Sequence, residues 1–386
     1  MRIVLLGTTA SCVIGFRGDL IKDLVARGHE VYAFALDYDE RSSSVVQELG
    51  AAPIRYSFSR AGLNPGGDLI NMLKLTRVLK RLKPDVVLTY FAKPVIFGTV
   101  AARLAGIKRV VGMLEGLGYV FTDDPKRVAS FKHKLLRHIQ VLLYRFTVPL
   151  LERLIFLNRD DPKDLIHRYG LRVKEITVLG GIGLDLERFK YSLPKSNPMT
   201  FLFVGRLLKE KGVHEYVEAA RLIKERYPET RFLVLGGLDE ENPGGLTKDE
   251  LNRLVEHDIV EYPGFVDNVA TWIEQSSVFV LPSYREGLPR STQEAMAMGR
   301  AVITTDVPGC RETISGNRNG ILVPVADVEA LVDAMVRFIE DPELILTMGQ
   351  EGRRIAEECY DVRSVNSALI GFLEGAEGRC AFQNSV

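Results

Sequence analysis

The sequence predicts an α/β protein built from two domains, each with a doubly wound parallel sheet, that face each other across a cleft. The chain has 386 residues, enough for two or three domains at roughly 150 residues each. Short apolar runs alternate with segments of helical spacing, and the alternation starts afresh after residue 190. Runs that are apolar on both faces are typical of parallel strands covered by helices. Because ligands bind at the carboxyl ends of such strands, the cleft is the expected site.

The first domain is predicted over residues 1-190. Its strand-like runs are Arg2–Leu6, Glu30–Leu36, Asp85–Tyr90, Arg109–Leu114, Arg153–Leu157 and Ile176–Leu179. Its helical segments are Gly18–Arg27, Asp68–Leu82 and Val95–Ala105. The stretch from Thr8 to Arg17 is predicted as a loop, too long for a G-x-G-x-x-G fingerprint, and no G-x-x-x-x-G-K-[ST] motif is present. A dehydrogenase and a P-loop nucleotidase are therefore disfavoured.

The second domain is predicted over residues 191-365. A linker rich in proline and polar residues, Tyr191 to Pro198, precedes it. Its strand-like runs are Thr200–Gly205, Phe232–Leu235, Ile259–Tyr262, Val278–Leu281, Ala301–Thr305 and Ile321–Val323. Helical segments between these runs predict a second β/α unit of similar size.

Composition excludes several classes of protein. Lys+Arg and Asp+Glu are both 50, so a surface devoted to nucleic acid is not expected, and no nucleic-acid partner is predicted. The four cysteines are scattered, which argues against a zinc site or disulfides and fits a reducing cytoplasm. The apolar run near the start, Ile3 to Leu6, is too short for a signal peptide, and no apolar run of about 20 residues predicts a membrane span.

The most informative stretch runs from Leu281 to Gly299. It contains two glutamates, Glu286 before a predicted helix and Glu294 inside it, with Pro289 at the helix start. Eight residues of helix span about 12 Å, so the carboxylates are too far apart to act as a close acid and base. Each carboxylate can accept two hydrogen bonds from a diol. The pair therefore favours an elongated ligand with a ribose at one end and a hexose at the other. The alternative is that Glu286 is an exposed charge on a loop and Glu294 an ordinary glutamate on a helix surface.

A second motif reads Gly205-Arg206-Leu-Leu-Lys-Glu-Lys211-Gly212. Arg206 directly follows the first strand of the second domain, and Lys211 stands at the start of the next helix. Two cations there would neutralise a diphosphate bound at the helix that starts near Pro289. The alternative is that both side chains are ordinary surface charges.

These motifs resemble the retaining glycosyltransferases of family 4, which have the GT-B fold of two Rossmann-like domains. The similarity extends to Lys83-Pro84-Asp85-Val86-Val87, Lys93-Pro94-Val95, Gly116-Leu117-Gly118-Tyr119, Asp306-Val307-Pro308-Gly309-Cys310-Arg311-Glu312 and Asn319-Gly320. The sequence of these motifs is similar to that of the branch that extends polyprenyl-diphosphate-linked sugars in bacterial O-antigen, capsule or N-glycan assembly. The resemblance implies an acceptor-binding first domain, a nucleotide-sugar-binding second domain, and a helix crossing back within 366-386 before a frayed tail.

The resemblance also implies roles for particular residues. Arg206 and Lys211 would bind the nucleotide diphosphate and stabilise it as it leaves, Glu286 would contact the donor hexose, and Glu294 would hold the ribose. The other implied donor-binding residues are Gly205, Val266, Gly287, Leu288, Pro289, Arg290 and Ser291. The implied donor is a UDP-sugar, and no metal is required because the cations take its place.

On the acceptor side the resemblance implies that the stretch from Thr8 to Arg17 faces the acceptor, with Arg17 meeting an acceptor phosphate. Glu115 stands where many relatives have a histidine. Two roles remain open for Glu115: contact with acceptor or donor sugar, or bracing of the Gly116-Leu117-Gly118 turn. The implied acceptor is an undecaprenyl-diphosphate-linked saccharide.

A basic segment with interleaved apolar residues lies between residues 126 and 153. It contains seven Lys and Arg against one acid, a net charge of +6. This pattern favours a helix on an anionic membrane, and hence a peripheral protein on the inner face of the cell membrane. The residues expected at the membrane are Lys126, Arg127, Lys132, Lys134, Arg137 and Arg145. A core helix with a solvated basic face and a groove for RNA are the alternatives.

Two other functions compete with glycosyl transfer. A nucleotide-sugar epimerase shares the fold but would act without a lipid acceptor. A non-catalytic sugar-binding subunit of a glycan assembly complex would not need both cations and both glutamates.

Overall fold

The computed structural model describes residues 1–58, 65–126, 130–239 and 244–376. The chain divides into two compact units, one formed by Met1–Phe121, Ser130–Ile182 and the segment from Val362 on, the other mainly by Gly183–Asp361. A short segment that begins at Thr122 also belongs to the second unit. The chain passes from the first unit to the second after Ile182 and returns after Asp361. The sequence predicts these changes after residues 190 and 365. Each unit is built around one parallel sheet, as predicted.

The first unit has a seven-stranded sheet in the order β3-β2-β1-β4-β5-β6-β7. All of its strand pairs are parallel. The strands are β1 (Arg2–Leu6), β2 (Glu30–Ala35), β3 (Ala52–Arg55), β4 (Val86–Tyr90), β5 (Arg109–Leu114), β6 (Arg153–Phe156) and β7 (Ile176–Val178). The central strands are fully buried, which explains their continuous apolar runs.

Helices cover this sheet on both faces. They are α1 (Ala10–Ala26), α2 (Glu40–Glu48), α3 (Pro65–Leu82), α4 (Thr99–Leu104), α5 (Phe131–Thr147) and α6 (Asp160–Pro162). Single π-helical turns, Pro94–Gly98 and Lys163–His167, lead into α4 and follow α6. The last helix of the chain also packs on this unit, since Asn366 donates to Asp23 at 2.7 Å.

Helix α1 corrects the prediction that Thr8 to Arg17 forms a loop. The helix begins at Ala10, and the Thr9 hydroxyl caps it by accepting a hydrogen bond from the Cys12 amide at 3.3 Å. The first turns contain Gly15 and β-branched residues with weak helix propensity, which hid the helix in the sequence. Arg17 is therefore a helix residue.

Two further elements were absent from the sequence prediction. Helix α2 begins at an Asp39–Ser42 capping box, which holds a helix of mostly polar residues. Strand β3 lies at the edge of the sheet and contains Pro53, a residue that edge strands tolerate. Both elements are short and half-exposed, so neither shows the long apolar pattern that predicted the others.

The second unit has a six-stranded parallel sheet in the order β10-β9-β8-β11-β12-β13. Its strands are β8 (Thr200–Val204), β9 (Arg231–Leu235), β10 (Glu261–Gly264), β11 (Val278–Leu281), β12 (Ala301–Thr305) and β13 (Gly320–Val323). The remaining helices are α7 (Val213–Arg226), α8 (Lys248–Glu256), α9 (Val269–Glu274), α10 (Arg290–Ala297), α11 (Val328–Glu340), α12 (Glu343–Cys359) and α13 (Val362–Glu374). Within the described residues, no helix combines the length and apolarity needed to cross a membrane.

Candidate active site

Arg206, Lys211 and Glu286, three of the predicted site residues of the second unit, lie on the segments that follow the carboxyl ends of β8 and β11. After β8, a 3₁₀ turn at Lys209–Lys211 leads to Gly212 and then α7. Gly212 has a φ of 76°, and a side-chain carbon there would overlap the carbonyl of Pro282, which follows β11. Only glycine allows the two loops to approach this closely.

This approach brings Lys211 and Glu286 together. The Lys211 Nζ atom lies 2.6 Å from Glu286 Oε1, and the buried Ser283 hydroxyl donates to the same oxygen at 2.7 Å. The side chains of Lys211 and Glu286 are 23% and 11% exposed. A partly buried ammonium, held in place by a carboxylate, can stabilise negative charge that develops beside it.

The loop that carries Glu286 rests on the turn after β12. The Glu286 amide donates to the Pro308 carbonyl at 3.1 Å. The next residue, Gly309, has a φ of 81°, and a side-chain carbon there would overlap the Glu286 carbonyl. The neighbouring Cys310 is fully buried, and burial raises the pKa of its thiol to about 12, so it is protonated at neutral pH.

Helix α10 holds the second glutamate. It begins at Arg290, with Pro289 as the N-cap residue in an extended conformation, and Gly299 at a φ of 80° follows its end. Arg290 Nε donates to Glu294 Oε1 at 3.1 Å, and both side chains are largely buried. Burial raises the pKa of Glu294 and outweighs the opposing charge of Arg290.

This raised pKa predicts how stability depends on pH. At Glu294 the folded protein binds a proton more tightly than the unfolded chain, so stability falls as pH rises from the ordinary carboxyl pKa of about 4.3 through the raised one. Glu294→Gln removes this titration. We therefore expect the free energy of unfolding of the variant, relative to wild type, to increase with pH across that window, as measured by urea unfolding.

The control for this experiment is Glu250→Gln. Hydrogen bonds from Thr247 lower the pKa of Glu250, so its contribution to stability is present above the ordinary pKa and is lost as pH falls. The relative stability of this variant should therefore decrease as pH rises. Slopes of the same sign in the two variants would contradict the assignment for Glu294.

Other predicted donor-side residues follow neighbouring strands of the same sheet. Arg206 has a side chain that is 65% exposed and lies 3.8 Å from Asp239. It follows Gly205, whose carbonyl is approached closely by Gly236 at the end of β9. Val266 is half-buried, two residues beyond the end of β10.

In the first unit the structure brings Arg17 and Glu115 together in a buried ion pair. Arg17 is 1% exposed, and its guanidinium carbon lies 4.7 Å from the centre of the Tyr90 ring. Glu115 precedes the turn of Gly116 and Gly118, which have φ of 127° and 78°. The prediction that Arg17 meets an acceptor phosphate stays a prediction, and in this structure its charge is balanced by Glu115.

Sequence reasoning did not single out Ser283 as a site residue. It lies in the quoted Leu281–Gly287 stretch, but a serine after a strand carries no signal of its own. Among the residues that the structure describes, no group of three His, Cys, Asp or Glu side chains is arranged to hold a metal ion.

Comparison with protein-family models gives two matches that together span most of the chain. Residues 18–188 match the model described as Glycosyltransferase Family 4. Residues 198–341 match the model described as Glycosyl transferases group 1.

Curated relatives agree with the family models. The chain is 30% identical over 374 residues to the N,N'-diacetylbacillosaminyl-diphospho-undecaprenol alpha-1,3-N-acetylgalactosaminyltransferase of Campylobacter jejuni, covering 94% of this chain and 95% of the relative. It is 28% identical over 290 residues to the UDP-Gal:alpha-D-GlcNAc-diphosphoundecaprenol alpha-1,3-galactosyltransferase of Escherichia coli, covering 72% of each.

Solved structures share the fold at low identity. Sucrose-phosphate synthase from Thermosynechococcus elongatus superimposes with a TM-score of 0.78 at 20% identity, over 97% of this chain and 98% of that one. Anabaena HepE in complex with UDP gives 0.76 at 17% identity, over 97% and 100%. From the family models and the full-length similarity to the Campylobacter enzyme, we conclude that the chain belongs to the family 4 glycosyltransferases, with the GT-B fold.

Proposed function

We propose that this enzyme transfers a hexose or N-acetylhexosamine from a UDP-sugar to an undecaprenyl-diphosphate-linked saccharide, with retention of anomeric configuration. Similarity over 94% of the chain to a transferase named for a diphospho-undecaprenol acceptor carries the proposal. The E. coli relative, whose name includes UDP-Gal, supports the nucleotide. The ion pair of Lys211 and Glu286 supports a site for a leaving diphosphate.

In the proposed reaction, the bond between the anomeric carbon and the diphosphate oxygen breaks, and a bond to an acceptor hydroxyl oxygen forms on the same face of the sugar. The hydroxyl proton passes to an oxygen of the departing diphosphate. Arg206 and Lys211 stabilise the charge on that diphosphate, and Glu286 positions the hexose. The backbone and side chains of residues 287–291 with Gly205 and Val266 surround the donor, and Glu294 holds its ribose. Most of the rate enhancement would come from electrostatic stabilisation and positioning.

The proposal is tested by incubating the protein with UDP-sugars and a short-chain polyprenyl-diphosphate N-acetylglucosamine, followed by mass spectrometry. We expect a product heavier by one sugar, whose new linkage has the anomeric configuration of the donor. Interconversion of the UDP-sugar without lipid would instead identify an epimerase. Nucleotide binding with no turnover on any donor would identify a sugar-binding subunit.

We further propose that transfer requires no metal ion, because cationic side chains compensate the charge of the diphosphate. Turnover in excess EDTA should match turnover in added Mg²⁺. Loss of activity with chelator and its recovery with Mg²⁺ would contradict this.

Helix α5 presents the surface that we propose for membrane binding at the inner face of the cell membrane. Four large apolar side chains on it, at spacing i, i+4, i+11 and i+15, form one stripe and are 48–82% exposed: Phe131, Leu135, Leu142 and Phe146. Lys132 lies on one side of this stripe, while Lys134 and Arg145 lie on the other, and all three are exposed. An exposed apolar stripe between basic residues suits an anionic bilayer.

The other predicted membrane residues differ in their surroundings. Arg137 donates to the Val120 carbonyl at 2.7 Å and lies near the Phe121 ring, so it anchors the helix to its own unit. Lys126 is exposed on the segment that belongs to the second unit. Arg127 lies outside the described residues.

Replacing Phe131 and Phe146 together by serine should weaken binding to vesicles of phosphatidylglycerol by about 100-fold or more, since each buried aromatic contributes roughly 1.5–3 kcal/mol. Flotation at low and high salt measures the effect, and wild-type binding should fall with salt because the basic residues contribute about 1 kcal/mol each. Phe265→Ser, at a phenylalanine that is 78% exposed in the second unit, is the control. Unchanged flotation of the double variant would remove α5 from the membrane surface.

A further inference from the structure

A buried carboxylate on α7 makes a hydrogen bond that the proposed reaction does not use. Glu215, in the first turn of α7, is 8% exposed, and Tyr284, on the segment that follows β11, is 6% exposed. The Tyr284 hydroxyl donates to Glu215 Oε1 at 2.7 Å. The two residues are 69 positions apart in the sequence, so this bond joins the segments that follow β8 and β11.

Tyr284 contacts the turn of Lys211 on both sides of that residue. The Tyr284 amide donates to the carbonyl of Glu210, directly before Lys211, at 2.9 Å. The Tyr284 hydroxyl reaches Glu215, one helical turn after Lys211. Two hydrogen bonds from one residue therefore hold the turn that carries the Lys211 ammonium.

The same tyrosine belongs to the segment that fixes Glu286. Ser283, directly before Tyr284, donates to Glu286 Oε1 at 2.7 Å. Thr305 on β12 donates to the Ser283 carbonyl, so the backbone of this segment is also tied to the strand beside β11. Tyr284 thus connects the segment of Glu286, which is fixed to β12, with the turn of Lys211 after β8.

Stability alone does not account for the chemistry of this pair. The second carboxylate oxygen of Glu215, Oε2, is buried and has no hydrogen-bond partner among the residues that the structure describes. A buried polar group with an unmet hydrogen bond lowers stability, whereas two apolar side chains of similar shape would be close to neutral. Buried groups of this kind are rare in folded proteins. What a carboxylate and a hydroxyl add here is a contact of fixed direction and length.

We propose that Glu215 and Tyr284 are positioning residues, whose hydrogen bond keeps the Lys211 ammonium at its observed 2.6 Å from the Glu286 carboxylate. This inference rests on the proposed function, in which Lys211 stabilises the departing diphosphate. Displacement of a reacting group by about 1 Å lowers the rate by roughly 10²-fold. A buried contact that holds this ion pair in place therefore controls turnover without touching the substrate.

The first test removes the hydroxyl alone, by Tyr284→Phe. Turnover with saturating UDP-sugar and lipid-linked acceptor should fall about tenfold or more, and the Kd for UDP, measured by calorimetry, should rise several-fold. The KM for the acceptor should stay at its wild-type value. Glu215→Gln keeps an oxygen that accepts from Tyr284, so it should retain turnover within about threefold of wild type. A loss in Glu215→Gln as large as in Tyr284→Phe would contradict the proposal.

A second variant separates positioning from stability. Tyr284→Phe leaves a buried carboxylate without its partner, so it should lower the unfolding temperature. Adding Glu215→Leu removes both polar groups and should restore the unfolding temperature, while turnover should stay as low as in Tyr284→Phe. Recovery of turnover together with the unfolding temperature would show a purely structural pair and overturn the proposal.

Tyr216→Phe is the matched control on the same helix. The Tyr216 hydroxyl is also buried, and it donates to the carbonyls of Phe201 and Leu233 in the sheet at 2.9 and 3.0 Å. Its removal breaks buried hydrogen bonds but leaves Tyr284 bonded to Glu215. Turnover and the Kd for UDP should therefore stay at their wild-type values. A loss equal to that of Tyr284→Phe would make the effect one of general destabilisation.

Combination with Lys211→Met tests whether the pair acts through Lys211. A residue that acts through another group loses its effect when that group is gone, so Tyr284→Phe should not slow Lys211→Met any further. Independent, additive losses in the combined variant would place the effect of Tyr284 elsewhere and refute the inference.

These measurements distinguish the inference from the proposed function. If the protein transfers sugar, and Tyr284→Phe keeps wild-type turnover and UDP affinity, the inference fails and the proposed function stands. If no sugar reaches a lipid acceptor, the proposed function fails. In that case a raised Kd for UDP in Tyr284→Phe, but not in Tyr216→Phe, still supports the positioning contact, and equal Kd values in all three proteins refute it.

Discussion

Lys211→Met is expected to lower turnover by about 10²–10³-fold, the scale for removing one charge-stabilising donor. The Lys211 ammonium lies 2.6 Å from Glu286 in a largely buried setting, so its charge is poorly screened by water. Methionine keeps much of the volume and removes the charge. Steady-state rates with saturating donor and acceptor measure the effect, while the unfolding temperature reports whether the second unit stays folded.

A matched control exists in the same unit. Lys224 makes an ion pair of similar length with the exposed Asp258, at 2.8 Å, away from the predicted site, and Lys224→Met should keep wild-type turnover. Arg206→Ala is also expected to reduce turnover by about 10²–10³-fold, although its side chain is 65% exposed in the structure. Near-normal rates for Lys211→Met and Arg206→Ala would remove both cations from the site.

Gly309→Ala should lower turnover by about 10²-fold, the effect of displacing a reacting group by about 1 Å. An alanine Cβ would overlap the carbonyl of Glu286, so the loop that carries this carboxylate must move. The change should weaken donor binding and slow the reaction together, because Glu286 is expected to contact the donor hexose. Turnover, the Kd for UDP-sugar and the unfolding temperature are measured together.

Gly316→Ala is the control that isolates this overlap. Gly316 also has a left-handed backbone, with a φ of 54°, but no heavy atom lies within 4 Å of the added carbon. Both variants carry the conformational penalty of about 1–2 kcal/mol, and Gly309→Ala alone adds a collision at Glu286. Similar activity losses in the two variants would show that backbone strain, not the position of Glu286, causes the effect.

Long buried strands could be predicted well from the sequence. The run Arg109–Leu114 coincides with β5, and Val278–Leu281 coincides with β11, because buried parallel strands must be apolar on both faces. Short amphipathic or edge elements were missed, since α2 and β3 have little apolar pattern. Helix α1 was predicted to start late because its first turns have weak helix propensity.

The site residues show the same division. The glutamate pair and the Gly205-Arg206 and Lys211-Gly212 motifs have a distinctive spacing, and that spacing led to the family. Ser283, which donates to Glu286, carries no such spacing, because it is a single serine after a strand. Lys211 and Glu286, which are 75 residues apart, meet because β8 and β11 are neighbours in the sheet.

From the amino-acid order alone came the α/β class, the two parallel sheets and the family, because apolar periodicity and the spacing of loop residues are local properties of the chain. Folding decided which charges pair: Lys211 with Glu286, Arg290 with Glu294, and Arg17 with Glu115. The physical reason is that Coulomb energy and burial depend on distances in space, which the packing of strands and glycine turns sets.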